Sequence, residues 1–386
     1  MVSAGSVPVF GIGDLHPVKT GAQKATYHLF GALNRVRPCR YVYLEPRATG
    51  QEDGTYPNGL PFRRIGGRAA RSWRNAWIAP KLLYRDGPTR NLLRTARTPA
   101  IVDALAACAA GSPAVILATP WIWPVLAPRI EASQQVVYDS HNFELQLLHD
   151  RLAAGTLDAR SLRAMCEAER SLARRADVLL ACSSIDADSY VREFGVDPRR
   201  LHLGFKGASV PPQPLAREPV DPPVATFVGS DWPPNNEAAL RVATQVAPRL
   251  PQVRFRIIGG CCRSLPGTLP PNVEAPGFVD DLEAALRRTT LALNPIESGS
   301  GINMKLLEYL TLGIPVVSTA FGARGLAPEA LRALEIATIE DFPAAIEGLL
   351  GSPERLAQQG LDGYAHARRH LDWPLIGVRL AGLLAR

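Results

Sequence analysis

The stretch Asn294-Pro-Ile-Glu-Ser-Gly-Ser-Gly-Ile-Asn-Met-Lys-Leu-Leu-Glu-Tyr-Leu-Thr-Leu-Gly-Ile-Pro-Val-Val-Ser318 decides how this chain is read. It begins at the end of an apolar run, Leu291-Ala-Leu-Asn294, which predicts a short buried strand. The small-residue turn Glu297-Ser-Gly-Ser-Gly301 follows. Met304, Leu306, Leu307, Leu310 and Leu312 then carry helical apolar spacing up to Gly313, a C-terminal stop. Ile314-Pro-Val-Val-Ser318 reads as a second buried strand. Strand, glycine-rich turn, helix, strand leaves unpaired backbone N–H groups at the start of a helix, facing the crevice at the strand ends. That is a ready anion site. Lys305 and Glu308 are three residues apart and share one helix face. A cation beside the N–H groups suits a diphosphate, and a carboxylate one turn further suits a pair of ribose hydroxyls. The turn alone leaves a second reading open: an ordinary strand–helix–strand unit with a solvated Lys–Glu pair.

Outward from this stretch, strands alternate with helices in two blocks. The first block predicts strands over 7–13, 41–44, 114–118, 136–138, 177–182 and 201–203 and helices over 23–36, 101–110, 144–175 and 185–194, with 45–60 polar and turn-rich. Residues 204–223 hold six prolines and no apolar period, which marks a linker. The pattern then restarts with strands over 224–229, 253–259 and 273–277 and helices over 235–250 and 282–288. After the opening stretch come helices over 342–350, 353–370 and 374–384. Alternation of this kind implies mostly parallel sheets covered on both faces, and two tandem α/β units bind ligands at the carboxyl ends of their strands.

The chain has 386 residues, 46% hydrophobic and 20% charged, which suits two globular domains. Its six cysteines form no C-x-x-C pair, so neither a zinc nor a disulfide framework is expected, and a reducing cytoplasm is the simplest compartment. The first residues, Met1-Val-Ser-Ala-Gly-Ser6, lack a basic region and argue against a signal peptide. The longest apolar segment, 113–128, contains four prolines and is too short to span a bilayer. Of the net charge of +7, the stretch from Arg63 to Arg97 carries +9, leaving −2 for the rest. Trp73, Trp77, Ile78, Leu82 and Tyr84 interleave with its cations. Much of it is expected to form an amphipathic helix at an anionic membrane surface. A solvated basic face over a core helix, or a site for an acidic acceptor or nucleic acid, are the alternatives; no nucleic-acid partner is expected.

Five segments in order, Phe227-Val-Gly-Ser-Asp-Trp-Pro-Pro-Asn-Asn-Glu-Ala238, Phe255-Arg-Ile-Ile-Gly-Gly260, Val273-Glu-Ala-Pro-Gly-Phe-Val-Asp-Asp-Leu282, Gly299-Ser-Gly-Ile-Asn-Met-Lys-Leu-Leu-Glu308 and Gly313-Ile-Pro-Val-Val-Ser-Thr319, resemble the donor domain of GT-B glycosyltransferases, family 4-like (glycosyl transferases group 1). In the first half, Asp139-Ser-His-Asn-Phe-Glu144 and Ala176-Asp-Val-Leu-Leu-Ala-Cys-Ser183 resemble elements of the same family, while 46–112 find no match. The resemblance implies an α/β GT-B fold with two Rossmann-like domains facing each other across a cleft. An acceptor-binding domain would span 1–206 and a nucleotide-sugar domain 207–371, with a C-terminal helix, 372–386, crossing back to the first. It implies no obligatory metal or cofactor.

Residue by residue, the resemblance gives Glu308 the ribose hydroxyls. It gives the diphosphate to Lys305 and the N–H groups around Gly299, Ser300 and Gly301. Gly277, Phe278 and Val279 would lie beside the base, and Gly229 and Ser230 would line the crevice. His141, with Asp139 beside it, would lie near the sugar, and the turn of Lys19, Thr20 and Gly21 would face the phosphates. His141, Lys305 and Glu308 are the implied catalytic residues. Two departures stand out: Ser300 replaces a usual glutamate, with Glu297 the nearest acid, and no cation follows the first donor-domain strand. The expected activity is retaining transfer of a hexose from a nucleotide diphosphate sugar to a glycan or lipid-linked acceptor, as in polysaccharide biosynthesis. The expected location is the cytoplasm, peripheral on the inner face of the membrane. The rivals are an epimerase or hydrolase on the same fold, and a non-catalytic nucleotide-sugar-binding partner.

Overall fold

The structure, a computed structural model, describes residues 6–18, 20–45, 48–66, 98–153 and 159–385. The chain divides into two compact units, Met1–Phe205 with Pro374–Arg386, and Lys206–Trp373.

The first unit is built on an eight-stranded sheet with strands β1 (Val7–Ile12), β2 (Cys39–Glu45), β3 (Gln51–Thr55), β4 (Pro61–Gly66), β5 (Ala114–Leu117), β6 (Gln135–Asp139), β7 (Val178–Leu180) and β8 (Leu201–His202). Their order is β3-β4-β2-β1-β5-β6-β7-β8, and every pair except β3–β4 is parallel. The central strands are continuous apolar runs because helices cover both faces; Val115, Ile116 and Leu117 are fully buried.

The polar stretch 45–60 is not only turns, since it contains β3. Period-two patterning misses this strand because most of its residues are exposed. Its register with β4 places Asp53 opposite Arg63 and Glu52 opposite Arg64. Arg63 donates to Asp53 at 2.6 and 2.8 Å, and Arg64 pairs with Glu52. So the basic stretch opens as a strand, not as part of a helix. Its remainder, 67–97, lies outside the described residues, as does Lys19.

The helix Trp373–Leu383 docks on the first unit. A Cβ on Gly377 would lie 2.7 Å from the backbone of Ala32 in the helix Gly21–Asn34, so only glycine allows this approach. Arg379 donates to the carbonyls of Leu203 and Gly204, and Gln135 ties down the carbonyl of Leu383 and the N–H of Ala385.

The second unit holds a fully parallel six-stranded sheet of β9 (Val224–Val228), β10 (Arg254–Ile258), β11 (Val273–Gly277), β12 (Leu291–Asn294), β13 (Val316–Ser318) and β14 (Glu335–Ile336). The order is β11-β10-β9-β12-β13-β14. The chain builds outward from β9 on one side, then restarts at β12 on the other. The sheet therefore has a switch point between β9 and β12, where the crossovers diverge and leave a crevice at the carboxyl ends. Alternate strand residues feed two cores. Phe227, Phe255, Leu293 and Val317 pack with Phe342 and Ile346 on one face, and Ala292 and Val316 pack with Leu306, Leu307 and Leu310 on the other. Each fully buried leucine contributes roughly 1.5–3 kcal/mol.

One helix departs from its expected length. Over 235–250, regular α-helix spans Pro233–Arg241 only, followed by a π turn, Val242–Val246, and a 3-10 turn, Ala247–Arg249. Pro248 explains the change: it lacks an N–H, and its ring collides with the carbonyl four residues back in a regular helix.

Candidate functional site: the glycine turns at the strand ends

At the switch point, β9 runs into Gly229 and Ser230, and β10 into Gly259. Gly259 has φ +104°, and a Cβ on it would lie 2.3 Å from the carbonyl oxygen of Gly229. Two strand ends thus meet backbone to backbone. Ser230 is exposed, and its carbonyl and hydroxyl oxygens accept from the Asn235 amide at 3.2 and 3.1 Å. Gly277 ends β11 at φ +77°, and its carbonyl accepts the Gly259 N–H at 2.7 Å. Beyond it, Phe278 is 75% exposed and Val279 half-buried.

After β12 the chain makes the turn read from the sequence. Gly299 and Gly301 have φ +104° and +69°, a region where L side chains are strained. The turn delivers the chain to the helix Met304–Thr311. Asn303, at its N-cap, makes no side-chain cap; its amide donates instead to the carbonyl of Gly322 at 2.7 Å. Gly313 stops the helix at φ +68°. Ser300 holds its hydroxyl oxygen buried with no hydrogen-bond partner among the described residues. Leaving such a group unsatisfied costs about 1–3 kcal/mol. Glu297 does not stand in for the acid that Ser300 replaces, because it turns to Arg241 at 2.5 Å.

Lys305 is not a solvated surface residue. Its ammonium donates to Asn235 Oδ1 at 2.5 Å and lies 4.3 Å from the centre of the Phe227 ring. The residue is half-buried, with its charged end in the low-dielectric interior, and burial lowers its pKa from 10.5 to about 7. The negative charge of Glu308 opposes that drop only in part. Cys261 itself is pushed up to about 12 by burial and by its neighbour Cys262, so it remains a thiol. Glu308 is half-buried on the same helix.

Sequence reasoning missed three contributors. Asn235, the anchor of Lys305, stood in the quoted Pro-Pro-Asn-Asn run, but nothing local marks it as a partner of a residue 70 positions later. Arg324 is 8% exposed, stacks 4.0 Å over Phe321 and donates to its carbonyl at 2.9 Å. Its Nη2 comes within 3.8 Å of the Cβ position of Gly299, which places a guanidinium beside the glycine turn. The Gly-Ala-Arg-Gly run was the available signal. Thr26 belongs to the first unit and is described below. Trp232 is the N-cap of the helix Pro233–Arg241, and Asp231 before it accepts from Asn236 at 3.0 Å.

In the first unit, Thr20 caps the helix Gly21–Asn34 through a reciprocal pair with Gln23. Asp139 is fully buried at the end of β6, and His141 lies two residues on. His141 Nε2 is 3.9 Å from Asp139 Oδ2 and 3.1 Å from the Thr26 hydroxyl, which itself donates to the carbonyl of Ala22 at 3.0 Å. The histidine is thereby tied to the same helix that Thr20 caps. Each unit thus brings its own candidates together: Thr20, Gly21, Asp139 and His141 in the first, the three glycine-rich strand ends with Lys305 and Glu308 in the second.

Residues 222–352 match the family model Glycosyl transferases group 1. The chain is 26% identical over 237 residues to a D-inositol 3-phosphate glycosyltransferase of Rhodococcus opacus, and over 234 to one of Rhodococcus jostii. These matches cover 53% of this chain and about half of each relative, 52% and 51%. Among solved structures, a sucrose-phosphate synthase from Thermosynechococcus elongatus aligns at TM-score 0.72 and 18% identity over 98% of both chains. HepE of Anabaena in complex with UDP-glucose aligns at 0.64 and 15% identity, covering 97% of this chain and 98% of that one. The chain therefore has the GT-B fold of two Rossmann-like α/β domains, and its residues 222–352 match the glycosyl transferases group 1 model.

Proposed function

We propose that the protein is a glycosyltransferase that takes a hexose from a nucleoside diphosphate sugar held in its second unit. The observation that carries this reading is the Lys305 ammonium, held against Asn235 and Phe227 on the helix that a turn of two left-handed glycines leads into. A buried cation near backbone donors is costly until an anion arrives, so the site is built to receive a diphosphate. Glu308, one turn along, takes the ribose hydroxyls, and the strand ends at Gly229 and Gly277 flank the nucleoside. UDP sugars are the first donors to try, since HepE was solved with one.

In the reaction, the anomeric carbon–oxygen bond to the diphosphate breaks as the acceptor oxygen bonds to that carbon. The acceptor attacks from the leaving-group side and the departing diphosphate oxygen takes its proton, so the sugar keeps its configuration and no enzyme nucleophile is required. Helix N–H groups and Lys305 stabilise the charge that grows on the leaving group, without a metal. The acceptor is a glycan or lipid-linked glycan. Work at the cytoplasmic face of a membrane suits the basic stretch 63–97, and no described helix is long and apolar enough to cross a bilayer.

The test is a thermal-shift panel of UDP-, GDP-, ADP- and dTDP-sugars, followed by product analysis with and without acceptor pools. Stabilisation by one sugar nucleotide, lost in Glu308→Ala, together with acceptor-dependent transfer that survives EDTA, is the expected result. Epimerised or free sugar without acceptor favours an epimerase or hydrolase. Ser300, at the position where the resembled family usually has a glutamate, motivates a second reading as a binding partner without turnover. Donor binding with no turnover on any acceptor decides for it.

A further inference from the structure

Glu169 lies on the helix Ala159–Arg175 and is completely buried. Its carboxyl caps the helix Glu144–Ala153: Oε1 accepts the N–H of Glu144 at 2.9 Å and Oε2 that of Leu145 at 3.1 Å. Oε1 also accepts from the Tyr190 hydroxyl at 2.8 Å. Tyr190, on the helix Ser184–Phe194, is itself fully buried and stands edge-on to Phe143 at 5.0 Å. The same hydroxyl lies 2.8 Å from Ser140 Oγ and 3.2 Å from the carbonyl of Asn142, and Ser140 Oγ also reaches that carbonyl at 2.7 Å. Ser140 and Asn142 are the immediate neighbours of His141, and Phe143 follows. One buried carboxyl and one phenol thus grip the turn that presents the histidine.

We propose that Glu169 is a positioning residue for His141, acting through a proton-dependent relay in which the Tyr190 hydroxyl donates either to Glu169 or to the carbonyl of Asn142. This rests on the reading that His141 takes part in the reaction. The chemistry is a matter of donors. An ionised Glu169 accepts from Tyr190, and Ser140 then serves the Asn142 carbonyl. A protonated Glu169 donates to the Tyr190 oxygen, freeing the phenol hydrogen to turn to Asn142. One proton on Glu169 thereby adds a hydrogen bond to the peptide next to His141, and no bond other than hydrogen bonds is made or broken. The groups facing Glu169 favour a carboxyl that changes state near neutrality. Burial dominates, Glu144 adds a like charge, and the two N–H groups and the phenol oppose both, leaving its pKa at about 8. Arg170 and Cys166 share its helix, and Tyr138 on β6 is 3.5 Å from the Tyr190 hydroxyl.

The chain contains a single Asn–Phe dipeptide, 142–143, so labelling Asn carbonyl carbon and Phe nitrogen isolates one peptide signal in the full-length protein. Titrated from pH 6 to 9.5, that signal is expected to move with a midpoint near 8, and the His141 ring proton to show the same midpoint besides its own titration. Both movements are expected to vanish in Glu169→Gln and in Tyr190→Phe, which leaves the carboxyl in place. A wild-type signal with no midpoint in that range overturns the proposal. So does a midpoint that survives in folded Tyr190→Phe, because direct electrostatics would then suffice, or a His141 ring that does not share it. If Glu169→Gln fails to fold, Tyr190→Phe alone decides. The experiment uses no substrate, so failure of the glycosyltransferase reading would show up separately, as absent nucleotide-sugar binding.

Discussion

Lys305 makes diphosphate binding pH-dependent in a direction the structure fixes. In the free protein its pKa is about 7, lowered by burial. A diphosphate at the glycine turn supplies the opposite charge the ammonium lacks, and returns the pKa toward the ordinary 10.5. The bound state then holds a proton that the free state loses as pH rises through 7. Binding therefore weakens with pH, by up to tenfold per unit between the two values. If the ordinary value is fully restored, affinity for UDP falls roughly fifty-fold from pH 7 to pH 9, with uptake of about 0.5 proton at pH 7 and about 0.9 at pH 8. The second phosphate ionisation lies near pH 6, below this window. Calorimetry with UDP in two buffers of different ionisation enthalpy reads both quantities. Uridine, which lacks the phosphates, should show no such slope, and Lys305→Met should bind UDP weakly at every pH. A wild-type Kd constant within about two-fold from pH 7 to 9, with equal heats in both buffers, would refute the reasoning, because the slope follows directly from the linkage.

Glu308→Ala is expected to cost about 1.5–3 kcal/mol of nucleotide affinity, or ten- to a hundredfold in calorimetric Kd, while thermal stability stays near wild type. Gly259→Ala puts a methyl 2.3 Å from the Gly229 carbonyl at φ +104°, and should lower stability by about 2–4 kcal/mol in urea melts. The control Gly348→Ala meets nothing within 4 Å inside the helix Phe342–Leu350, and should stabilise by about 0.5–1 kcal/mol. Asp53→Asn removes an exposed partner of Arg63, and its effect in the same melts should stay below about 1 kcal/mol.

The parts of the fold legible in the sequence were those set by local chemistry. Buried parallel strands announce themselves as short apolar runs, and the Glu297–Gly301 turn was readable because only glycine tolerates its φ values. Gly313 marked a helix end for the same reason. What escaped was non-local. β3 is polar on both faces, and only its register against β4 explains its acids. The helix from Pro233 shortened at a proline whose effect the apolar spacing overrides on paper. At the site, residue type suggested Lys305 and Glu308, but burial, not identity, makes Lys305 unusual, and burial comes from Phe227 and Asn235 on other elements. Arg324 reaches the turn across a loop, and Glu169 holds the His141 turn from a different helix altogether. Neither approach is encoded in any window of the chain.

The crossed charges of β3 and β4 bear on how the molecule avoids its own kind. Among the described residues β3 is the outermost strand on its side of the sheet, five residues long, with Glu52 and Asp53 engaged by the neighbouring strand's arginines. A strand from another copy that tried to add there would meet a short, charged and mostly exposed ribbon, with little apolar surface to bury in return. Growth of the sheet by edge-to-edge stacking is discouraged on that side, so replacing this pair of acids with valine or threonine should show itself in light scattering at high protein concentration well before it shows in a melting curve.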